Sequence, residues 1–106
     1  MLVEKQLQNE ILREFGTKPW IRIWRANSGV ARIGQRVVRF GIPGQADLTG
    51  IIAGKRLEIE VKASGKQSLD QMNFQNMIKK FGGIYILAHS VEDIYEKLAA
   101  YGIVIR

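Results

Sequence analysis

Cysteine is missing altogether, and with it a disulfide framework, a Cys-based zinc site and a thiol nucleophile. Histidine occurs once, as His89, with no second histidine or local ligand pair beside it, so loop or cap duty is expected there instead of metal ligation. No apolar run approaches the roughly 18 residues needed to cross a bilayer, and Met1 opens a polar, periodic segment with no basic-then-apolar leader pattern. These absences predict a soluble cytoplasmic protein. Internal repeats, linkers and low-complexity stretches are lacking too. The 106 residues suffice for one domain with a single modest core, so that domain, residues 1–106, must carry the function.

Acidic residues are absent from one stretch in particular. The chain has 16 Lys and Arg against 10 Asp and Glu, a net charge of +6, and between Lys18 and Phe40 there are six basic residues and no acid. A soluble basic surface would account for such a run, but nucleic-acid phosphates are the better expectation.

What is present reads as alternating helix and strand. Val3, Leu7, Ile11 and Phe15 stand at helical spacing across 3–15, and Gly16 supplies a stop. Residues 20–26 and 36–40 read as strands, separated by "NSGVARIG", whose glycines suit turns or a hairpin. "ADLTGIIA" and "RLEIEVK" form a strand pair, with Gly54-Lys55 as its expected tight turn. Helical spacing returns from Ser68 to Phe81, with an inward stripe through Phe74, Ile78 and Phe81. "GGIYILA" reads as a buried strand, "SVEDIYEKLAA" as a helix opened by Ser90, and "YGIVIR" as a possible last strand. The order predicts an α/β fold with a mixed central sheet flanked by helices.

With a Gly54-Lys55 turn, Ala53 pairs with Arg56, Asp47 lies opposite Lys62, and Thr49 lies opposite Glu60. Alternation then puts Asp47, Glu60 and Lys62 on one face, while Leu48, Ile52, Leu57, Ile59 and Val61 take the other. Opposed or diagonal neighbours on such a pair lie roughly 5 to 8 Å apart, close enough for two carboxylates to share a divalent cation. Bound metal acidifies water and offsets the charge that builds on a phosphate, and a neighbouring lysine orients that water, so the trio suggests metal-assisted phosphodiester hydrolysis. A Glu-x-Lys triplet arises by chance about 0.4 times in a chain of this length. It is therefore Asp47 at compatible register, the turn "GIPGQ" and the basic run that give Glu60 and Lys62 weight. Turn duty for Asp47 and an exposed, salt-laced strand for Glu60 and Lys62 are the plain alternatives, and Glu58 is expected to be an outlying charge beyond the site.

Two further residues have two readings each. Glu4 sits within the Leu7, Ile11, Phe15 stripe and would point toward the sheet, where a lone charge needs a cation or donor; equally, it could complement the helix dipole at a frayed start. Glu10 and Glu14 are rivals on the other flank of that stripe. Gln71 fits a capping box with Ser68, yet it also lies one turn before Phe74 on the inward face.

"GIPGQA" before Asp47, "EIEVKASGKQSLDQMNF", "GGIYILAHSVED" and the segment "RANSG" together resemble the VRR-NUC (virus-type replication-repair nuclease) family of the PD-(D/E)XK nuclease superfamily. The first helix resembles that of archaeal Holliday junction resolvases. The likeness runs from Glu4 to about Leu98. It implies a PD-(D/E)XK restriction-endonuclease-like core, with Asp47, Glu60 and the Val61 carbonyl as metal ligands and Lys62 as catalytic lysine. It further implies Glu4 as the helix-borne acid and Gln71 as the glutamine of the following helix. Pro43 stands four residues before Asp47, a spacing similar to the VRR-NUC branch. The cofactor implied is Mg²⁺, with Mn²⁺ able to substitute. The activity implied is cleavage of branched DNA by a homodimer, since stand-alone members of this size resemble phage and bacterial junction-cleaving enzymes. Trp20 and Trp24, or "YGIVIR", are candidates for the dimer surface or equally for core. Arg22, Arg25, Ser28, Arg32, Arg36, Arg39 and Lys66 are the expected phosphate contacts. A catalytically silent DNA-binding module and an RNA-directed nuclease are the alternatives.

Overall fold

A computed structural model describes residues 2–27 and 29–103. Among these residues the elements run α1 (Leu2–Gly16), β1 (Ile21–Arg25), β2 (Gly29–Ile33), β3 (Arg36–Phe40), β4 (Leu48–Ile52), β5 (Lys55–Val61), α2 (Leu69–Lys80), β6 (Ile84–Ala88) and α3 (Val91–Ala100). Four strands form one mixed sheet in the order β1-β4-β5-β6, antiparallel except for the parallel pair β5-β6, and β2 and β3 make a separate antiparallel ribbon. The α/β class with a mixed sheet is as expected. Within "NSGVARIG", Gly29 to Ile33 are a strand in their own right, and the glycine turn is confined to Gly34. The strand expected over "YGIVIR" is not formed at Tyr101 to Ile103, and 104–106 lie outside the described residues.

Alternation along the strands gives the sheet two differently covered faces. On one, Ile11 and Phe15 of α1 and Ile94 and Leu98 of α3 pack on Ile21, Leu48, Ile52, Leu57, Ile59 and Ile86. Each such fully buried aliphatic side chain contributes about 1.5–3 kcal/mol. Phe15 centres this layer, with the Tyr95 ring 5.0 Å away and Trp20 edge-on at 6.4 Å. Trp20 is therefore core-associated, whereas Trp24 is 49% exposed. Val3, expected on the inward stripe, is 58% exposed, and Leu7 is the first stripe residue packed on the core. On the other face α2 lays Phe74 and Ile78 on Ala46 and Tyr85. Phe81 closes α2 at its C-cap, where the chain turns away, and is 77% exposed instead of continuing the stripe.

The hairpin register differs from expectation. Ile52 pairs with Lys55 and Leu48 with Ile59, so the turn is Ala53-Gly54 and not Gly54-Lys55. Both turn residues have positive φ, +52° at Ala53 and +76° at Gly54, as a two-residue type I′ turn requires. Thr49 therefore faces Glu58 instead of Glu60, and continuing the ladder by one residue sets Asp47 against Glu60 instead of Lys62. The shift is two residues, which leaves every side chain on its expected face. Its physical reason is Glu58. In the observed register Glu58 receives hydrogen bonds from the Thr49 hydroxyl and from Arg56 Nε, the latter at 2.7 Å. In the expected register it would face Ile51 and lose the threonine.

Candidate active site

The site lies where β4 begins and β5 ends, on the face that α2 covers. "GIPGQ" prepares it: Ile42 to Gln45 form a turn closed by Gln45 N donating to Ile42 O at 2.9 Å, with Pro43 second and Gly44 third at φ +76°. A Cβ on Gly44 would stand 2.1 Å from the Asp70 carbonyl oxygen, so only glycine lets this turn rest on the first turn of α2. Ala46 is then buried, and Asp47 enters beside Glu60. The Asp47 main chain is tied to the segment after β1, where Ala26 N donates to Asp47 O at 3.0 Å.

The structure brings the expected catalytic set together. Asp47 Oδ2 accepts from the Val61 amide at 2.8 Å, which locks the aspartate to the strand that carries Glu60 and Lys62. Glu60 Oε2 accepts from Gln71 Nε2 at 2.9 Å, while Glu60 Oε1 is buried with no partner among the described residues. Gln71 meets the helix cap with one end and Glu60 with the other. Its Oε1 accepts from Ser68 N at 2.8 Å and its amide donates to Ser68 Oγ at 3.2 Å, completing the capping box, while its NH₂ group reaches Glu60. Glu4 Oε2 accepts from the Ala63 amide at 3.2 Å, so the first-helix acid stands beside the end of β5. Glu14 instead accepts from the Tyr95 hydroxyl at 2.5 Å, and it borders a cleft with Glu10 against α3, which removes both rivals from the site.

Electrostatics follow from this crowding. Burial, then the neighbouring Asp47 charge, push the Glu60 carboxyl up to about 8. Asp47 is also raised, chiefly by burial, with the Glu4 charge adding to the effect. The Lys62 ammonium opposes both shifts. Two neighbouring carboxyls, both pushed up by burial, cannot both ionise cheaply without a cation. Among the described residues no three His, Cys, Asp or Glu side chains form a metal-binding group. Two acids with an unpartnered oxygen and a nearby main-chain carbonyl are nonetheless a donor set that fits a hard, oxygen-seeking ion that retains waters.

Several residues around the site were missed by sequence reasoning. Glu58 is fully buried, bonded to Thr49 and Arg56, and its Oε1 has no partner among the described residues. It is not an outlying charge, because α2 extends over its row of the sheet; an arginine two residues away on the same face was the available signal. Tyr85, opposite Glu58 in β6, accepts from Gln67 Nε2 at 3.0 Å, and burial followed by the Glu60 charge pushes its hydroxyl up to about 12. His89 Nδ1 lies 2.8 Å from the Lys62 carbonyl oxygen and so carries its proton there, fixing the main chain of the lysine. Loop duty was expected for His89, but not this partner.

The basic residues are spread more widely. Arg22 is exposed on β1 and Lys66 on the loop between β5 and α2. Arg25 donates to Asn9 of α1, whereas Arg32, Arg36 and Arg39 are exposed on the β2-β3 ribbon. Ser28 lies outside the described residues. Among the described residues no helix is long and apolar enough to cross a membrane. Compared with known proteins, the chain matches no family model and no curated sequence.

Proposed function

We propose that the protein is a Mg²⁺-dependent DNA endonuclease with a PD-(D/E)XK-type core resembling the VRR-NUC branch, cutting phosphodiester bonds in branched DNA as a homodimer. The observation that carries this reading is the meeting of Asp47, just before β4, with Glu60 of β5, where Gln71 holds one Glu60 oxygen and the other is buried without a partner among the described residues. Asp47, Glu60 and the Val61 carbonyl would hold the ion, with Glu4 at the rim. Mg²⁺, or Mn²⁺ in its place, supplies acidified water and neutralises charge on the phosphate.

The chain's own residues do the positioning. Gln71 fixes the Glu60 carboxylate, and the Val61 amide fixes Asp47, so neither has to reorganise when a phosphate arrives. Lys62, held at its carbonyl by His89, presents an ammonium that donates to a phosphoryl oxygen and orients the attacking water. The arginines would bind phosphates without reading bases, so affinity should fall steeply with salt and substrate shape should set specificity. A four-way junction has two-fold symmetry, which calls for two sites in a symmetric dimer.

The test is a cleavage panel of single-stranded, duplex, flap and four-way DNA with Mg²⁺, run beside a mass measurement in solution. Paired cuts in the four-way junction by a particle of twice the chain mass are expected. A monomer cutting only flaps removes the resolvase-like part, and a protein that binds every DNA and cuts none is a silent module.

A further inference from the structure

Among the described residues the β2-β3 ribbon contributes nothing to the buried core. No residue of β2 or β3 belongs to either buried cluster, and only Ala31 and Val38 are half-buried. An isolated two-stranded hairpin is marginal in water, so this one is built to be completed by something it binds. Its register sorts the side chains: Val30, Arg32, Val37 and Arg39 share one face, and Ile33 and Arg36 lie on the other. Ile33, beside the turn at Gly34, is 64% exposed. Arginine is thus carried on both faces, interleaved with aliphatic side chains, and the whole segment from Lys18 to Phe40 lacks an acid.

We infer that the β2-β3 ribbon seats in the major groove of a B-form DNA arm next to the cleavage site. A two-stranded ribbon fits a groove about 12 Å wide, whereas the major groove of an RNA helix is too deep and narrow for side chains to read. Arginines on both faces reach the phosphates of the two strands that wall the groove, and valine and isoleucine side chains meet thymine methyl groups within it. The ribbon is rooted at the site, because Ala26 bonds to Asp47 O on one side and the Ile42–Gln45 turn leads into Asp47 on the other. Five residues of strand extend roughly 16 Å, which sets the contact about half a helical turn from the cut. This rests on the nuclease reading for its DNA target and selects DNA over the RNA alternative.

The test needs no cleavage. In EDTA, binding of the full chain to a 24-base-pair DNA duplex, an RNA duplex of the same sequence and a single DNA strand is followed against salt, with dimethyl sulfate probing guanine N7 in the major groove. Replacing Arg32, Arg36 and Arg39 together by Ala should lower the steepness of log K against log salt by about 2.7 on duplex DNA, three contacts at about 0.9 each, and abolish the protection at N7. Replacing the same three by Lys should keep most of the slope. On the RNA duplex and the single strand the slope should change by less than about 1. Equal loss on RNA and DNA, or N7 protection unchanged in the Ala variant, overturns the proposal. So does a halved solution mass of that variant, which would make the ribbon an interface between copies. A chain whose ribbon protects DNA while cutting none would retain this inference and refute the nuclease reading.

Discussion

Replacing Glu60 by Gln should stabilise the metal-free protein at alkaline pH. The Glu60 carboxyl rises from 4.5 to about 8 in the fold, mainly through burial and then the Asp47 charge. Below the unfolded value both states hold the proton, and Glu60 costs nothing. As pH rises from 4.5 toward 8 the unfolded chain releases the proton while the fold keeps it, so stability is lost across that window and levels off above it. At about 1.36 kcal/mol per unit the ceiling is between 4 and 5 kcal/mol. The half-exposed Asp47 beside it admits water, so about 2 kcal/mol is the working magnitude. In a domain this size that corresponds to roughly 10 °C in Tm. Thermal melts of Glu60→Gln and parent in EDTA should therefore coincide near pH 4.5 and separate by about that amount at pH 8.5. Adding Mg²⁺ should close the gap by raising the parent alone, by about 2.7 kcal/mol at a hundredfold excess over its Kd. A gap independent of pH, or equal stabilisation of both proteins by Mg²⁺, would refute the shared-carboxylate reasoning.

Three other variants separate the site from the scaffold. Gln71→Glu keeps an acceptor for the Ser68 amide, and so the capping box, but sets a carboxylate in place of the NH₂ donor to Glu60. Cleavage should fall tenfold or more while chemical denaturation near pH 5 changes by less than about 0.5 kcal/mol, and a parallel loss of both would mean a structural role only. Ala53→Gly should raise stability by about 1 kcal/mol, since Ala53 holds φ +52° in the turn; no change in the urea midpoint would contradict the strained turn. Gly44→Ala should cost about 2–3 kcal/mol, because its Cβ meets the Asp70 carbonyl at 2.1 Å and φ is +76°. A variant as stable as the parent would mean that the turn does not rest on α2.

Sequence period alone revealed the face of Asp47, Glu60 and Lys62, because a two-residue register error leaves each side chain on the same side of the sheet. It does not reveal the register, since Gly54-Lys55 fits a tight turn by composition, whereas Ala53 takes a left-handed conformation ahead of Gly54. Glu58 and Glu60 look equivalent in "EIEVK". Only the placement of α2, with Thr49 and Arg56, buries the first as a structural acid and leaves the second at the site. The spacing of Gln71 fits a cap or a site residue equally, and it is the fold that sets one end on Ser68 and the other on Glu60. Of the ribbon only β3 is legible, as the strand expected over 36–40; β2 lies inside "NSGVARIG", whose glycines read as turn chemistry, and its exposure depends on what fails to pack against it.

The central claim, a metal held between Asp47 and Glu60 that cuts DNA, is tested most directly by a single-turnover assay of parent and Glu60→Ala on a labelled four-way junction with Mg²⁺. The shared carboxylate site predicts cleavage by the parent and at least a hundredfold slower cleavage by the variant, with junction binding retained. Equal cleavage by the two would contradict it.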